Sequence, residues 1–115
     1  MNKLFFTLLL VASINAESFI SPINFKNTQE NKNKVIAFIK FEVARNNQGM
    51  DIDEAVARYD EEMQLEAFKT LIHVENKGVL KSTIKNNCDE YGCSYGVILM
   101  AYQENIKAKN KVLSW

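Results

Sequence analysis

The sequence predicts a small all-α protein, an irregular bundle of three to four helices with one short-range disulfide, that follows a cleaved N-terminal signal peptide. Three observations support this fold class. The first 16 of the 115 residues have the pattern of a secretory signal. Apolar residues in the remainder recur mostly at steps of three or four, which indicates amphipathic helices. The only two cysteines, Cys88 and Cys93, lie five positions apart.

The signal segment comprises residues 1–16, MNKLFFTLLLVASINA. Lys3 supplies the positive charge, residues 4–12 form a short apolar run, and Ala16 provides a small residue at the cleavage point. A membrane-spanning helix needs about 20 apolar residues, so cleavage is favoured over a retained anchor, which remains the alternative. We therefore expect a periplasmic or secreted protein without a membrane span after cleavage. The chain has thirteen asparagines but no glycosylation sequon, which favours a bacterial periplasm over a eukaryotic secretory route.

The charge balance bears on the class of partner. The whole chain has 14 basic and 14 acidic residues. Removal of Lys3 with the signal leaves 14 − 1 = 13 basic against 14 acidic residues, a net charge near −1. A chain this balanced lacks the basic surface that nucleic acid requires. We expect the partner to be another protein, while the oligomeric state is left open by the sequence.

Residues 17–34 contain the only proline and a dense polar run, so they are interpreted as an extended N-terminal arm or linker before a helical domain at residues 35–115. Apolar side chains could attach the arm to that domain; they are Phe19, Ile20, Ile23 and Phe25. The alternative is a poorly ordered terminus.

Residues 35–47, VIAFIKFEVARNN, are ambiguous between two structures. The spacing of Val35, Ile39 and Val43 is typical of a helix face, whereas the alternation around Phe41 is typical of a strand. The length and the polar residues before the run favour the helix.

The clearest helix is predicted at about residues 52–76. Asp51 is the expected N-cap, with Glu54 reaching back in a capping box, and Lys77-Gly78 is the expected C-terminal stop. A broad apolar stripe then predicts a core-facing surface. Its members are Ile52, Val56, Tyr59, Met63, Leu65, Ala67, Phe68, Leu71 and Ile72.

Two shorter helices complete the bundle. The third is expected from Val79 to about Asn86, and the fourth from Val97 to about Ile106. Lysines crowd the end of the fourth helix, where the helix dipole favours cations. The cysteine loop joins these two helices.

Cys88 and Cys93 are predicted to form a structural disulfide. Exported proteins meet oxidising conditions in which paired cysteines bond. The spacing differs from the C-x-x-C redox motif, and two thiols fall short of the four ligands that a zinc site needs. We therefore expect no metal and no cofactor.

The loop between the cysteines is the candidate binding surface. Asp89, Glu90, Tyr91 and Tyr95 lie in or beside it, and tyrosine is enriched at interface hot spots. A loop closed by a disulfide would lose little entropy on binding. The alternative is that Tyr95 and Tyr102 pack in the core.

No catalytic constellation is evident. His73 is the only histidine, and no motif places a nucleophile beside it. The carboxylates of Asp60, Glu61, Glu62 and Glu66 could serve glycoside hydrolysis but are more typical of a solvated acidic face that can meet a basic partner.

We expect that the protein is not an enzyme but a small exported binding protein, an inhibitor or immunity-type protein of the periplasm. The alternatives are a structural or chaperone-like accessory of the cell envelope and, third, a small carboxylate-dependent hydrolase.

Overall fold

A computed structural model describes residues 18–115. Within them lie four helices and no β-strand: α1 is Gln29–Asn46, α2 is Glu54–Leu71, α3 is Lys77–Asn87 and α4 is Tyr95–Asn110. The all-α bundle expected from the sequence is confirmed. The signal segment at residues 1–16 lies outside the described residues. None of the four described helices is long and apolar enough to cross a membrane.

The helix α2 lies at the centre of the bundle. It packs against α1 on one side and against α4 on the other, and α3 packs against α4. The buried core draws on all four helices; it comprises Val35, Phe38, Ile39, Val43, Ala67, Phe68, Leu71, Leu80, Tyr95, Ile98 and Tyr102.

The first helix settles the ambiguity at residues 35–47 in favour of the helix, and it begins earlier than the sequence suggested. The Thr28 hydroxyl accepts a hydrogen bond from the Asn31 amide at 3.2 Å and caps the N-terminus. Glu30 and Lys34 form an i,i+4 ion pair along the first turns. The polar residues 29–34 that were assigned to the arm therefore belong to α1.

The second helix is shorter at both ends than expected. Its N-cap is Asp53 rather than Asp51, so the expected capping box does not form. At the other end the helix stops at Leu71, and Lys77-Gly78 lies inside α3 rather than terminating α2. The cause is Asn76, whose side-chain oxygen accepts from the Val79 amide at 2.9 Å and starts α3.

The last two helices form an antiparallel pair joined by the cysteine loop. Ser94 caps α4 through a hydrogen bond from the Val97 amide, so α4 starts two residues earlier than predicted. The buried Thr83 hydroxyl donates to the Val79 carbonyl at 2.7 Å and accepts from the side-chain Nδ2 of Asn105 at 3.0 Å. This pair of bonds links α3 to α4 with its polar atoms satisfied.

The N-terminal arm is part of the fold from Ser18 onward. The Phe19 ring packs edge-on to Phe38 of α1 and stacks on Tyr95 of α4, with centroid distances of 5.4 and 5.5 Å. Phe25 packs edge-on to Phe68 of α2 at 4.9 Å. The arm thus fills the space between α1 and α4, which agrees with the attachment expected for its apolar residues.

One part of the expected core faces solvent. The α2 stripe was interpreted as core throughout, but Val56, Tyr59 and Met63 are exposed. The inward surface of α2 is instead set by Leu71, Phe68 and Ala67. The helix buries a narrower stripe because it is covered by single helices on two sides and by none on its outer face.

Candidate functional site

The candidate site is the loop that joins α3 to α4. Cys88 and Cys93 form the disulfide that the sequence predicted, with their Cα atoms 5.0 Å apart. Between them, the Gly92 amide donates to the Asp89 carbonyl at 3.0 Å and closes a tight turn. The Asp89 carboxylate accepts from the Tyr91 amide at 2.8 Å, so a side chain also supports the turn.

The N-terminal arm packs against this loop through the contact between Phe19 and Gly92. Gly92 is buried and has a φ of +92°, a backbone conformation that favours glycine. A Cβ atom at this position would lie 2.6 Å from the Cβ, Cγ and Cδ1 atoms of Phe19. Gly92 therefore allows both the turn and the close approach of the Phe19 ring. The loop is fixed by the disulfide, by the turn and by this contact.

Three of the four predicted contact residues come together on the surface. Asp89, Glu90 and Tyr91 are exposed on the outer side of the turn, and 64% of Tyr91 is accessible. We call these three residues the loop surface. Among residues 18–115 neither of its carboxylates has an ion-pair partner within 4 Å. The loop surface therefore presents an aromatic ring beside two uncompensated negative charges.

Tyr95, the fourth predicted contact residue, does not lie on the loop surface. It is 0% exposed, and its hydroxyl donates to the Ile20 carbonyl at 2.7 Å. Its ring also contacts Phe68 and Phe38, at centroid distances of 4.7 and 5.7 Å. Burial raises the pKa of this phenol above its usual range. The alternative interpretation, in which Tyr95 packs in the core, is therefore correct, because Tyr95 lies on the same inward side of α4 as the buried Ile98.

An open cavity of about 510 Å³ adjoins the loop surface. Phe19 and Ile84 line the cavity with apolar side chains, and Lys85 is the one basic residue that lines it. A side chain of a partner that packed against Tyr91 would find this recess beside it. Sequence reasoning missed the cavity because Phe19 lies more than sixty residues from the loop in the chain. The only local signal was Gly92, whose missing side chain makes room for the ring.

The other candidate groups do not converge on one site. Glu61 pairs with Arg58 at 2.7 Å, and Glu66 pairs with Lys69 at 3.4 Å, both along the surface of α2. His73 is exposed just beyond the end of α2. Within residues 18–115 no group of three or more histidine, cysteine or acidic side chains is arranged to hold a metal ion.

Removing the disulfide should weaken the fold without abolishing it. Replacing both cysteines, as Cys88→Ser/Cys93→Ser, should lower the free energy of unfolding by about 2 kcal/mol, because closing so short a loop restricts the unfolded chain by roughly that amount. Urea denaturation followed by circular dichroism measures the change. An unchanged free energy would show that the loop is held by Phe19 and the turn alone.

Comparison with protein-family models, with curated proteins and with solved structures finds no match for this chain.

Proposed function

We propose that this protein is an exported binding protein, an inhibitor or immunity-type protein of the periplasm that neutralises a protein partner through the loop surface. The observation that carries the proposal is the fixed loop, which holds Asp89, Glu90 and the exposed ring of Tyr91 in one place. Export is the expectation from residues 1–16, and the disulfide is compatible with an oxidising compartment.

Rigidity supports this use of the loop. A flexible loop loses conformational entropy when it binds, whereas a loop fixed beforehand loses much less. Here the disulfide, the Asp89–Tyr91 hydrogen bond and the contact with Phe19 impose that order in the free protein. Tyrosine then supplies a large contact area through a side chain with few rotatable bonds.

Charge supports a basic partner surface. Asp89 and Glu90 lie on an exposed turn, and neither carboxylate has an ion-pair partner within 4 Å among residues 18–115, although Lys85 also lines the cavity. Complementary charge raises the association rate and suppresses wrong partners. We infer that the partner presents lysine or arginine around an apolar or aromatic side chain that enters the cavity.

A second candidate function rests on a different surface. Tyr59, Met63 and Met100 are exposed together beside an open groove between α2 and α4. Exposed apolar patches bind other proteins or unfolded segments, and methionine adapts to varied partners. This surface favours the alternative of a chaperone-like accessory of the cell envelope.

Affinity capture from cell-envelope extract tests the first proposal against the second. The bait is oxidised protein expressed from the full sequence, beside the variant Glu90→Lys/Tyr91→Ala. The proposal predicts one stoichiometric partner on the wild-type bait and at least about a tenfold loss on the variant, since both changes fall on the loop surface.

A matched control is available outside the loop surface. Glu75→Lys/Tyr59→Ala also reverses one exposed carboxylate and truncates one exposed tyrosine, away from the loop. Capture should be unchanged with this variant. Loss with the control and retention with the loop variant would favour the chaperone-like alternative instead.

A further inference from the structure

An apolar groove runs between α2 and α4, and it shares no residue with the cavity beside the loop surface. Its volume is about 510 Å³. The centre is formed by Met63 and Met100, which are 55% and 69% exposed, with Leu99 beside them. Glu62 and Glu66 are the only charged residues that line it. The groove is therefore an apolar surface with an acidic edge.

A second unpartnered surface follows directly along α4. Beyond Asn110 the chain leaves the helix, and Val112, Leu113 and Trp115 are almost fully exposed. Three lysines precede or interrupt this stretch, at 107, 109 and 111. We call residues 107–115 the basic tail. The basic tail combines apolar side chains with positive charges, and these match the apolar surface and the acidic edge of the groove.

We propose that two copies of this chain form a dimer in which the basic tail of each copy lies in the α2–α4 groove of the other. Charge complementarity selects this occupant, because a lysine-bearing apolar segment matches an apolar groove with an acidic edge. Both surfaces belong to the same chain, so each copy supplies one tail and one groove. The contact closes with two-fold symmetry and does not propagate into a filament.

The direction of the helices fits this arrangement. Near the start of α4, the Gly96 amide donates to the Gln64 side chain in the middle of α2 at 3.0 Å. Farther along α4, the Tyr102 hydroxyl accepts at 3.3 Å from the amide of Asn76, which follows the end of α2. The helices α2 and α4 therefore run in the same general direction. An α4 helix from a second copy, laid antiparallel over the groove, brings its C-terminal end towards the N-terminal half of α2, where Glu62 lies.

The register also places the charges together. With the two-fold axis beside Gln103, residue 107 of one α4 lies opposite residue 99 of the other, and residue 111 lies opposite residue 95. Glu62 and Glu66 flank Gln64, the α2 residue that contacts Gly96. Lys111 therefore approaches Glu62, which has no ion-pair partner among residues 18–115. Lys107 approaches Glu66, and these two side chains exchange their exposed partners in the single chain, Glu104 and Lys69, for each other. The five residues beyond the helix span up to about 17 Å when extended, enough for Leu113 and Trp115 to run along Met63 and Tyr59.

Trp115 is the only tryptophan, so its fluorescence reports on the tail directly. The experiment combines sedimentation velocity with tryptophan emission over a concentration series of protein expressed from the full sequence. We expect a monomer–dimer equilibrium, with a blue shift of the emission that follows the dimer fraction. Monomer at every concentration would overturn the proposal. A blue shift that does not depend on concentration would also overturn it, because the tail would then fold onto its own chain.

A substitution in the groove tests whether the dimer forms there. Met100→Lys places a cation in the groove and should raise the dimer dissociation constant at least about tenfold. Met50→Lys is the matched control, since Met50 is 61% exposed but lies outside the groove, and it should leave the constant unchanged. A dimer that tolerates Met100→Lys would show that copies associate elsewhere.

Charge reversal tests the occupant. Glu62→Lys and Lys111→Glu should each weaken the dimer, and the double variant should restore affinity to within about threefold of the wild type, because the pair is then reversed as a unit. Losses that simply add in the double variant would show that the tail does not reach Glu62.

A final measurement adds anionic vesicles to the protein and follows the tryptophan emission. A blue shift that needs vesicles and is absent from protein alone would replace the dimer with a membrane-surface role for the tail.

Discussion

Replacing Tyr95 with alanine is expected to lower the free energy of unfolding by about 4 kcal/mol, the cost typical of truncating a large buried aromatic side chain. Its ring contacts aromatic residues from the arm, α1 and α2, namely Phe19, Phe38 and Phe68. The substitution therefore leaves a cavity at the point where three parts of the chain meet. Against a total of about 5–15 kcal/mol, this loss would remove at least about a quarter of the stability.

Tyr95→Phe separates the hydroxyl from the ring. It keeps the aromatic contacts and removes only the hydrogen bond to the Ile20 carbonyl, so we expect a loss of about 1 kcal/mol. Urea denaturation of the two variants beside the wild type measures both values. A loss for Tyr95→Ala within about 0.5 kcal/mol, the range of exposed positions, would mean that Tyr95 faces solvent and could contact a partner after all.

Gly92→Ala is expected to destabilise the protein by about 3 kcal/mol through two causes that add. A residue with a Cβ costs roughly 1–2 kcal/mol in the left-handed region, and the new methyl group overlaps the Phe19 side chain at 2.6 Å. Overpacking of this kind costs about 1–3 kcal/mol. Thermal or urea denaturation gives the free energy.

Gly49→Ala is the matched control for the backbone contribution. Gly49 also has a positive φ, +79°, but a Cβ atom there would meet nothing within 4 Å. Its loss should therefore be confined to the backbone, about 1–2 kcal/mol. If Gly92→Ala and Gly49→Ala cost the same, the contact between the loop and Phe19 is not formed. If the contact is formed, Phe19→Ala should cost less in the Gly92→Ala background than in the wild type.

The helices could be predicted because their apolar periodicity and local capping residues act within a few positions. Their ends were harder to place. Asp51-x-x-Glu54 satisfies the capping-box pattern, yet α2 begins after Asp53. Asn76 was overlooked as an N-cap because Lys77-Gly78 resembles a helix stop. In each case two local signals lay within a few residues of each other, and helix boundaries are the least certain part of such a prediction.

The candidate site was predictable only in part. The disulfide and the exposed Tyr91 follow from the local sequence, whereas the buried position of Tyr95 depends on Phe19 and Phe38, far away in the chain. Hydrophobic spacing shows that one face of α2 is apolar but does not show how much of it is covered. The exposure of Tyr59 and Met63 is therefore a result of the packing order of the helices.

We propose that a partner binds the loop surface while Tyr95 supports the fold beneath it. The most direct test is the dissociation constant of the captured, purified partner, measured by calorimetric titration with wild type, Tyr91→Ala and Tyr59→Ala. Tyr91 and Tyr59 are similarly exposed, at 64% and 55%. We predict that Tyr91→Ala weakens binding by about 30-fold or more, as expected for a hot-spot tyrosine that contributes at least about 2 kcal/mol, and that Tyr59→Ala leaves it unchanged. Equal affinity for wild type and Tyr91→Ala would contradict the claim and place the partner elsewhere on the bundle.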